Sequence, residues 1–270
     1  MAALLDINDS EVHLWLSFLS ECNYAEHYEE YRHIITPTER ERELQFRSAE
    51  SRKQFLISRV LLRTSLSRYL ETAPQEWRFT TDRYGRPRLD PQFQGVKLDY
   101  NLSHTRGLVA CAITTSRRVG VDAEDCRRER VPLEIARAYF SAVEAKTLSS
   151  LSPAMQPERF FENWTLKESF AKADGRGLAL PLDLFSFDLS LPGAVSMTLD
   201  PSLNGDSSLW EFWLLRPSDS HFVAVCAERG RTNVPRLLVR RMVPLRSEEL
   251  CASPVVRRSH QITHERPPVA

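Results

Sequence analysis

The sequence predicts an α+β protein built from two α/β lobes of similar size. The chain has 270 residues, enough for one large domain or two smaller ones. Apolar residues make up 42% and charged residues 27%, which is typical of a folded globular protein. Segments of β-type composition form two batches, one before residue 116 and one around a helical segment at 157–173. We therefore expect lobes at 1–115 and 116–250 with a cleft between them, and a disordered tail at 251–270.

The first lobe is expected to start with a short strand and a helix within residues 10–34. A helical segment at 38–70 follows, because its apolar residues recur near helical spacing. Gly85 and Pro87 mark a turn. Three apolar and β-branched runs then predict strands at 98–105, 108–115 and 118–125.

The second lobe is expected to place its main helix between strands. Ser141 and Glu144 have the spacing of a capping box, which predicts the start of a helix. Residues 157–173 have the strongest helical pattern of the chain. Strand character returns in the segments LFSFDLSL, LWEFWLL and HFVAVCAE, and the sequence becomes polar and rich in proline after about residue 245.

Charge and cysteine usage exclude several classes of protein. Lys and Arg total 36, equal to the total of Asp and Glu, which argues against a general nucleic-acid binder. The sequence has no apolar run of the length that crosses a membrane and no basic start typical of a signal peptide. The five cysteines form no C-x-x-C pair, so a reducing, cytoplasmic location is expected.

An acidic strand is the first candidate for chemistry. Asp122 and Glu124 alternate along the predicted strand at 118–125, so both side chains project from the same face. Two neighbouring carboxylates repel each other unless a cation lies between them, and oxygen ligands favour a hard ion such as Mg²⁺. The alternative is a solvated strand end whose acids bind nothing.

The predicted helix at 157–173 provides a second candidate. Glu168 and Lys172 are four residues apart and therefore neighbours on one helix face. The alternative is an ordinary surface ion pair. Gly175 and Gly177 follow the helix, as expected at a helix C-terminus.

Two further groups are less specific. Ser103 and His104 are adjacent on a predicted strand and point in opposite directions, so a serine hydrolase dyad is rejected. A histidine at a strand end is also a common structural hydrogen-bonding group. A basic group on the first long helix could bind a phosphate or simply face solvent; its members are Arg52, Lys53, Arg59 and Arg63, with Arg86 near the turn.

Four motifs in this order resemble the 4′-phosphopantetheinyl transferases, and within them the surfactin-synthetase-activating type. The motifs are YGRP at 84–87, NLSHT at 101–105, GVDAE at 120–124 and WTLKESFAKADGRGL at 164–178. The close match covers about residues 84–178. The resemblance implies two lobes that form an internal pseudodimer, with the active site between them.

The resemblance also implies an activity. Members of this family transfer the phosphopantetheine arm of coenzyme A to a serine of an apo acyl or peptidyl carrier protein of fatty-acid, polyketide or non-ribosomal peptide synthesis. They depend on Mg²⁺, with Mn²⁺ as an alternative, and release 3′,5′-ADP. We therefore expect coenzyme A and a carrier protein as partners, and a monomeric, cytoplasmic enzyme without a nucleic-acid or membrane partner.

The resemblance assigns roles to individual residues. Asp122, Glu124 and Glu168 become the metal ligands, and Glu168 also accepts the proton of the carrier serine. The remaining residues become coenzyme A ligands: Lys172 and Lys167 at the pyrophosphate, Ser103 and His104 at the phosphates, Arg86 and its turn beside the adenine, and Arg52 or Lys53 at the 3′-phosphate.

Two other functions are compatible with the same residues. A non-catalytic module could bind coenzyme A or a carrier protein without transfer. A metal-dependent phosphohydrolase could use the same carboxylates to cleave coenzyme A with no carrier present. A mass gain on a carrier protein separates transfer from both.

Overall fold

The structure is a computed structural model that describes residues 3–93, 95, 97–127, 133–230, 234–252 and 254–259. Within these ranges, no helix has the length and apolar character needed to cross a membrane. The helices are α1 (Tyr24–Ile34), α2 (Pro37–Gln45), α3 (Ala49–Leu66), α4 (Leu133–Tyr139), α5 (Ala142–Ser150) and α6 (Gln156–Asp174). The strands are β1 (Glu11–Phe18), β2 (Phe79–Thr81), β3 (Pro87–Leu89), β4 (Leu98–Thr105), β5 (Leu108–Thr115), β6 (Val119–Asp125), β7 (Phe185–Asp188), β8 (Ala194–Leu199), β9 (Trp210–Ser218), β10 (His221–Glu228), β11 (Arg236–Val243), β12 (Ser247–Leu250) and β13 (Val255–Ser259).

Two sheets form the two lobes. The first has the strand order β12-β11-β1-β5-β4 and the second has the order β6-β10-β9-β13-β8-β7. Helices α1 and α3 pack on the outer face of the first sheet, and α4, α5 and α6 cover the outer face of the second. The predicted α+β class with two lobes is therefore confirmed.

The inner faces of the sheets pack against each other through a third apolar cluster. Leu14 and Ala110 contribute from the first sheet, and Val121, Leu215 and Val225 contribute from the second. Strands such as β1 and β5 are buried on both faces, which explains their nearly continuous apolar sequence. The packing places β4 and β6, the facing edge strands, side by side.

The C-terminal part differs from the prediction. Strands β11 and β12 join the first sheet, with β11 parallel to β1, although residues up to 250 were assigned to the second lobe. The predicted disordered tail at 251–270 is wrong for β13, which inserts between β8 and β9. A short strand of arginines and valines lacks the pattern of a core strand, so neighbouring strands decide its conformation. Residues 260–270 lie outside the described residues, and the lobe boundary at 115 stays a prediction.

Helix α6 is buried along most of its length, which its mixed sequence does not indicate. It ends at Gly175, whose φ of 95° is readily adopted only by glycine. The helix lies directly on β6: a Cβ at Gly120 would clash with the backbone at Ser169 and Ala173. The glycine thus allows the strand with the acidic motif to contact the helix with Glu168 and Lys172.

Candidate active site

The candidate site lies where β4, β6 and α6 meet. Side chains of β4 join this strand to β6 at every second position: Asn101 accepts from the amide of Val121 (2.8 Å), Ser103 donates to Asp122 (3.0 Å) and Thr105 accepts from the amide of Asp125 (3.0 Å). Alternation along the strand gives these residues a common face. The NLSHT motif therefore fixes the position of β6 relative to the first lobe.

Asp122 and Lys172 form the centre of the site. Lys172 Nζ donates to Asp122 Oδ1 at 2.7 Å, to Ser103 Oγ at 3.0 Å and to the carbonyl of Val121 at 3.1 Å. The Asp122 side chain is buried, and its second oxygen, Oδ2, has no hydrogen-bond partner. A buried carboxylate oxygen without a partner is costly, so this atom is suited to a bound cation or donor.

Glu168 lies one helical turn before Lys172. Burial raises the pKa of its carboxyl group, the negative charge of Asp122 raises it further, and Lys172 partly opposes both effects. Glu168 and Asp122 therefore repel each other in the protein without a metal. A cation between the two carboxylates would remove this repulsion, and carboxylate oxygens are ligands that Mg²⁺ prefers.

Glu124 is held by the tryptophan of the helix motif. Trp164 Nε1 donates to Glu124 Oε1 at 3.0 Å, and the indole stacks on Phe160 with ring centroids 6.0 Å apart. In the described part of the chain, no group of three His, Cys, Asp or Glu side chains is placed to hold a metal ion. Asp122 and Glu168 suit a bound cation, because Oδ2 of Asp122 has no partner and a cation would relieve the repulsion between the two carboxylates. A role for Glu124 as the third ligand stays a prediction.

His104 points away from Asp122, as its alternation with Ser103 requires. Its Nδ1 lies 2.6 Å from Gln54 Nε2 of α3, and the ring reaches the surface. The surrounding protein lowers the pKa of His104 by limiting its hydration, and the positive charges of Lys172 and Arg59 lower it further. Ser103 and His104 therefore present two hydrogen-bonding groups on either side of the end of β4.

Lys167 does not lie at the site, which corrects the prediction that it binds the pyrophosphate. Its ammonium group is buried on another face of α6, where it pairs with Glu144 at 2.8 Å and donates to the carbonyl of Leu182 at 2.8 Å. Burial lowers the pKa of Lys167, and Glu144 opposes this shift. The role of Lys167 is to join α6 to the start of α5.

Arg86, Arg52 and Lys53, the basic residues predicted to bind coenzyme A, lie in different surroundings. Arg86 is buried, and its guanidinium group faces α6 and Asp99 rather than open solvent. Arg52 donates to the carbonyl of Phe46, and Lys53 lies over the ring of Tyr24. Among the described residues, neither hydrogen-bonds to Ser103 or His104. Their assignment to the 3′-phosphate stays a prediction.

Gln54 was missed by sequence reasoning, whereas Arg59 belongs to the predicted basic group. Gln54 contacts His104, and Arg42 and Arg59 both lie over the ring of Phe55, at 5.9 and 5.4 Å from its centroid. Nothing in the position of Gln54 on α3 indicates the histidine that it contacts. The polar residues between the apolar positions of α3 were the available signal.

Comparison with known proteins identifies the class of enzyme. Residues 118–226 match the family described as 4′-phosphopantetheinyl transferase superfamily. Residues 23–116 match a second family, described as 4′-phosphopantetheinyl transferase, N-terminal. The chain is 35% identical to 4′-phosphopantetheinyl transferase Sfp of Bacillus subtilis (strain 168) over 66% of this chain and 76% of that protein. It is 29% identical to 4′-phosphopantetheinyl transferase HetI of Nostoc sp. over 82% of this chain and 89% of that protein.

A further 4′-phosphopantetheinyl transferase of Bacillus subtilis is 32% identical over 61% of this chain and 71% of that protein. The chain therefore belongs to the 4′-phosphopantetheinyl transferase superfamily. This confirms the resemblance drawn from the four motifs and the prediction that the protein is an enzyme.

Proposed function

We propose that the protein transfers 4′-phosphopantetheine from coenzyme A to a serine of an apo acyl or peptidyl carrier protein and releases 3′,5′-ADP. Family membership supports the transfer. The observation that carries the proposal is the Lys172 ammonium group on Asp122 Oδ1, next to the unpartnered Asp122 Oδ2. The charge of Asp122 also raises the pKa of Glu168. A pyrophosphate would give Lys172 a negative partner, and its metal ion would give the two carboxylates a positive one.

In the proposed reaction, the carrier serine oxygen attacks the β-phosphorus of coenzyme A. A new P–O bond to serine forms as the bond from this phosphorus to the oxygen of the α-phosphate breaks, and 3′,5′-ADP leaves with the electron pair. Glu168 accepts the serine proton, directly or through a water, and its raised pKa suits that role. Lys172 stabilises the negative charge on the leaving phosphate, and Ser103 and His104 orient the phosphates.

Asp122 and Glu168, with Glu124 as the third candidate, would hold Mg²⁺ or Mn²⁺. When bound, the cation supplies charge neutralisation for the pyrophosphate, which the carboxylates alone would repel. Because Oδ2 of Asp122 has no partner, it would hold the cation while Lys172 remains on Oδ1. The ammonium group would then act on the phosphate as a nearby positive charge.

We further propose that the enzyme acts as a cytoplasmic monomer of two lobes with a boundary near residue 115. Its pathway could be fatty-acid, polyketide or non-ribosomal peptide synthesis. Nucleic acid and membrane are not among the proposed partners, in keeping with the balanced charge of the chain.

The direct test is a mass measurement on a panel of apo carrier proteins mixed with this protein, coenzyme A and Mg²⁺. Transfer raises the mass of a carrier by about 340 Da, the size of the arm moved in the displacement. Chelation of the metal should abolish the gain, and added Mg²⁺ should restore it. Cleavage of coenzyme A with no carrier present would instead support a phosphohydrolase, and coenzyme A binding without turnover would support a binding module.

A further inference from the structure

Arg86 connects the ends of the elements that carry the site. Its Nη1 donates to the carbonyls of Lys172 (2.7 Å) and Ala173 (3.3 Å) in the last turn of α6. Its Nη2 donates to the carbonyl of Val119, the first residue of β6, at 2.9 Å and to Asp99 at 3.0 Å. One side chain therefore links the loop before β3 to β4, β6 and α6.

The contacts of Arg86 with α6 lie in the last turn of that helix. The final carbonyls of a helix have no partner within it, and such ends fray unless another group satisfies them. In α6 the amide of Gly175 donates to the carbonyl of Ala171, and Arg86 supplies donors to the next two carbonyls. Lys172 belongs to this same turn, so fraying would displace its ammonium group from Asp122.

The neighbouring groups hold the guanidinium in place. Arg86 is only 7% exposed, and Asp99 supplies the carboxylate that balances its charge. Burial lowers the pKa of Arg86, and Asp99 opposes that shift. Its two terminal nitrogens donate to four protein acceptors, and its remaining donor, Nε, is buried without a hydrogen-bond partner, which leaves little capacity for a substrate phosphate.

We propose that Arg86 is a positioning residue that caps α6 from outside the helix and thereby holds the Lys172 ammonium group against Asp122. The inference rests on the proposed role of Lys172 in transfer. Arg86 does not touch the substrate but keeps the residue that does in register with β6. The assignment replaces the expectation that the Arg86 side chain lies beside the adenine.

Two measurements test this role. The first is amide hydrogen exchange over residues 169–175 in the substrate-free protein, compared between wild type, Arg86→Met and Arg86→Lys. The second is kcat and KM for coenzyme A in the same variants and in Lys172→Met, alone and combined with Arg86→Met. Arg88→Met is the matched control, because Arg88 also pairs with Asp99 and, within the described residues, its side chain has hydrogen bonds and ion pairs to Asp82 and Asp99 but none to α6.

In Arg86→Met, exchange over 169–175 should accelerate at least about tenfold, and kcat should fall by up to about 10²-fold, the scale of a 1 Å misplacement. Arg86→Lys, which keeps a buried cation with fewer donors, should fold like wild type and give intermediate values for both. Arg88→Met should leave exchange in this segment unchanged. The double variant should be no slower than Lys172→Met alone, since Arg86 acts through Lys172.

Unchanged exchange in both Arg86 variants, or independent and multiplying losses in the double variant, would overturn the inference. A rise in KM for coenzyme A with unchanged kcat and exchange would return Arg86 to the role of a direct ligand. Failure of the proposed function looks different. Wild-type protein would then modify no carrier, or Lys172→Met would retain full activity, while the exchange measurement still reports on the cap.

Discussion

The Lys172 ammonium group lies 2.7 Å from Asp122 Oδ1, whereas the other oxygen of this buried carboxylate has no hydrogen-bond partner. Lys172 is at the end of a helix and Asp122 is inside a strand, 50 residues earlier in the chain. Their contact depends on Gly120, which lets strand and helix approach, and on Ser103, which bonds to both side chains. Because one oxygen of this buried carboxylate has no hydrogen-bond partner, it can accept a further ligand.

The first prediction concerns Asp122. Asp122→Asn keeps the shape of the side chain and removes its charge, so transfer should slow at least about 10²-fold, the scale of one lost electrostatic group. The matched control is Asp125→Asn, on the same strand, where Asp125 pairs with Arg127. Rates come from the carrier mass assay.

A melting experiment tests metal binding by Asp122. Mg²⁺ should raise the Tm of wild type and of the Asp125→Asn control but not of Asp122→Asn. Equal responses to the metal in all three proteins would reject Asp122 as a ligand.

The second prediction is a pH dependence of coenzyme A binding. Limited hydration and two nearby cations lower the pKa of His104 below its ordinary 6.5, so the free ring is neutral at pH 7. A bound phosphate favours the protonated ring and raises this pKa. Binding should then take up a proton in the window between the two pKa values, and affinity should rise as the pH falls through that window.

Calorimetric titration of coenzyme A in buffers of different ionisation enthalpy measures this proton uptake. His104→Gln, which keeps a hydrogen-bonding group near Gln54, should lose the uptake and the pH dependence together. Persistence of both in the variant would place the titrating group elsewhere.

The parts of the site that sequence reasoning predicted are those with local patterns. Alternation placed Ser103 and His104 on opposite faces of a strand, and the spacing of Glu168 and Lys172 placed both on one helix face. The capping box at Ser141 is present as well. These features depend on the period of a helix or strand, which a single sequence contains.

The features that could not be predicted depend on tertiary contacts. Helical spacing puts Lys167 and Lys172 about 140° apart around α6, but it does not show which of the two faces meets β6. Tertiary packing decides that Lys172 faces Asp122 and that Lys167 is buried against Glu144. The contact of Arg86 with α6 could not be predicted for the same reason, since its acceptors there lie far along the chain.

The third prediction tests the corrected role of Lys167. Lys167→Met leaves Glu144 buried without its cation, and breaking a buried pair in this way costs about 3–5 kcal/mol. The Tm should fall by roughly 10 °C for a chain of this size. KM for coenzyme A, measured well below the new Tm, should stay at the wild-type value. A large rise in KM without loss of stability would restore Lys167 as a ligand.

The fourth prediction concerns the contact between β6 and α6. A methyl group at Gly120 would meet the carbonyl oxygen of Ser169 and the amide nitrogen of Ala173, neither of which can rotate away. Gly120→Ala should therefore destabilise the protein by about 3 kcal/mol or more and slow transfer, because β6 and α6 must separate. Gly95→Ala is the control, since a Cβ there meets nothing within 4 Å. Urea unfolding of both variants measures the difference, and equal midpoints would contradict the close approach.

The fifth prediction concerns β13, which lies between β8 and β9 in the second sheet. Arg257 of this strand pairs with Glu162 of α6 at 2.7 Å and donates to the carbonyl of Leu189 at 3.2 Å. A chain that stops after residue 252 loses this strand, leaves the facing edges of β8 and β9 unpaired and leaves Glu162 with Arg159 as its remaining ion-pair partner.

The shortened chain should unfold at a clearly lower temperature than a chain that stops after residue 259, which keeps every contact of β13 described above. Arg257→Met in the full chain separates the ion pair from the strand. It should cost about 1.5–3 kcal/mol, the range for a hydrogen bond to a charged group, and less than the truncation. Thermal melts of the four proteins, including wild type, make the comparison. If the chain ending at 252 melted like the chain ending at 259, β13 would contribute nothing to the second sheet, and the predicted disorder of the tail would extend to it.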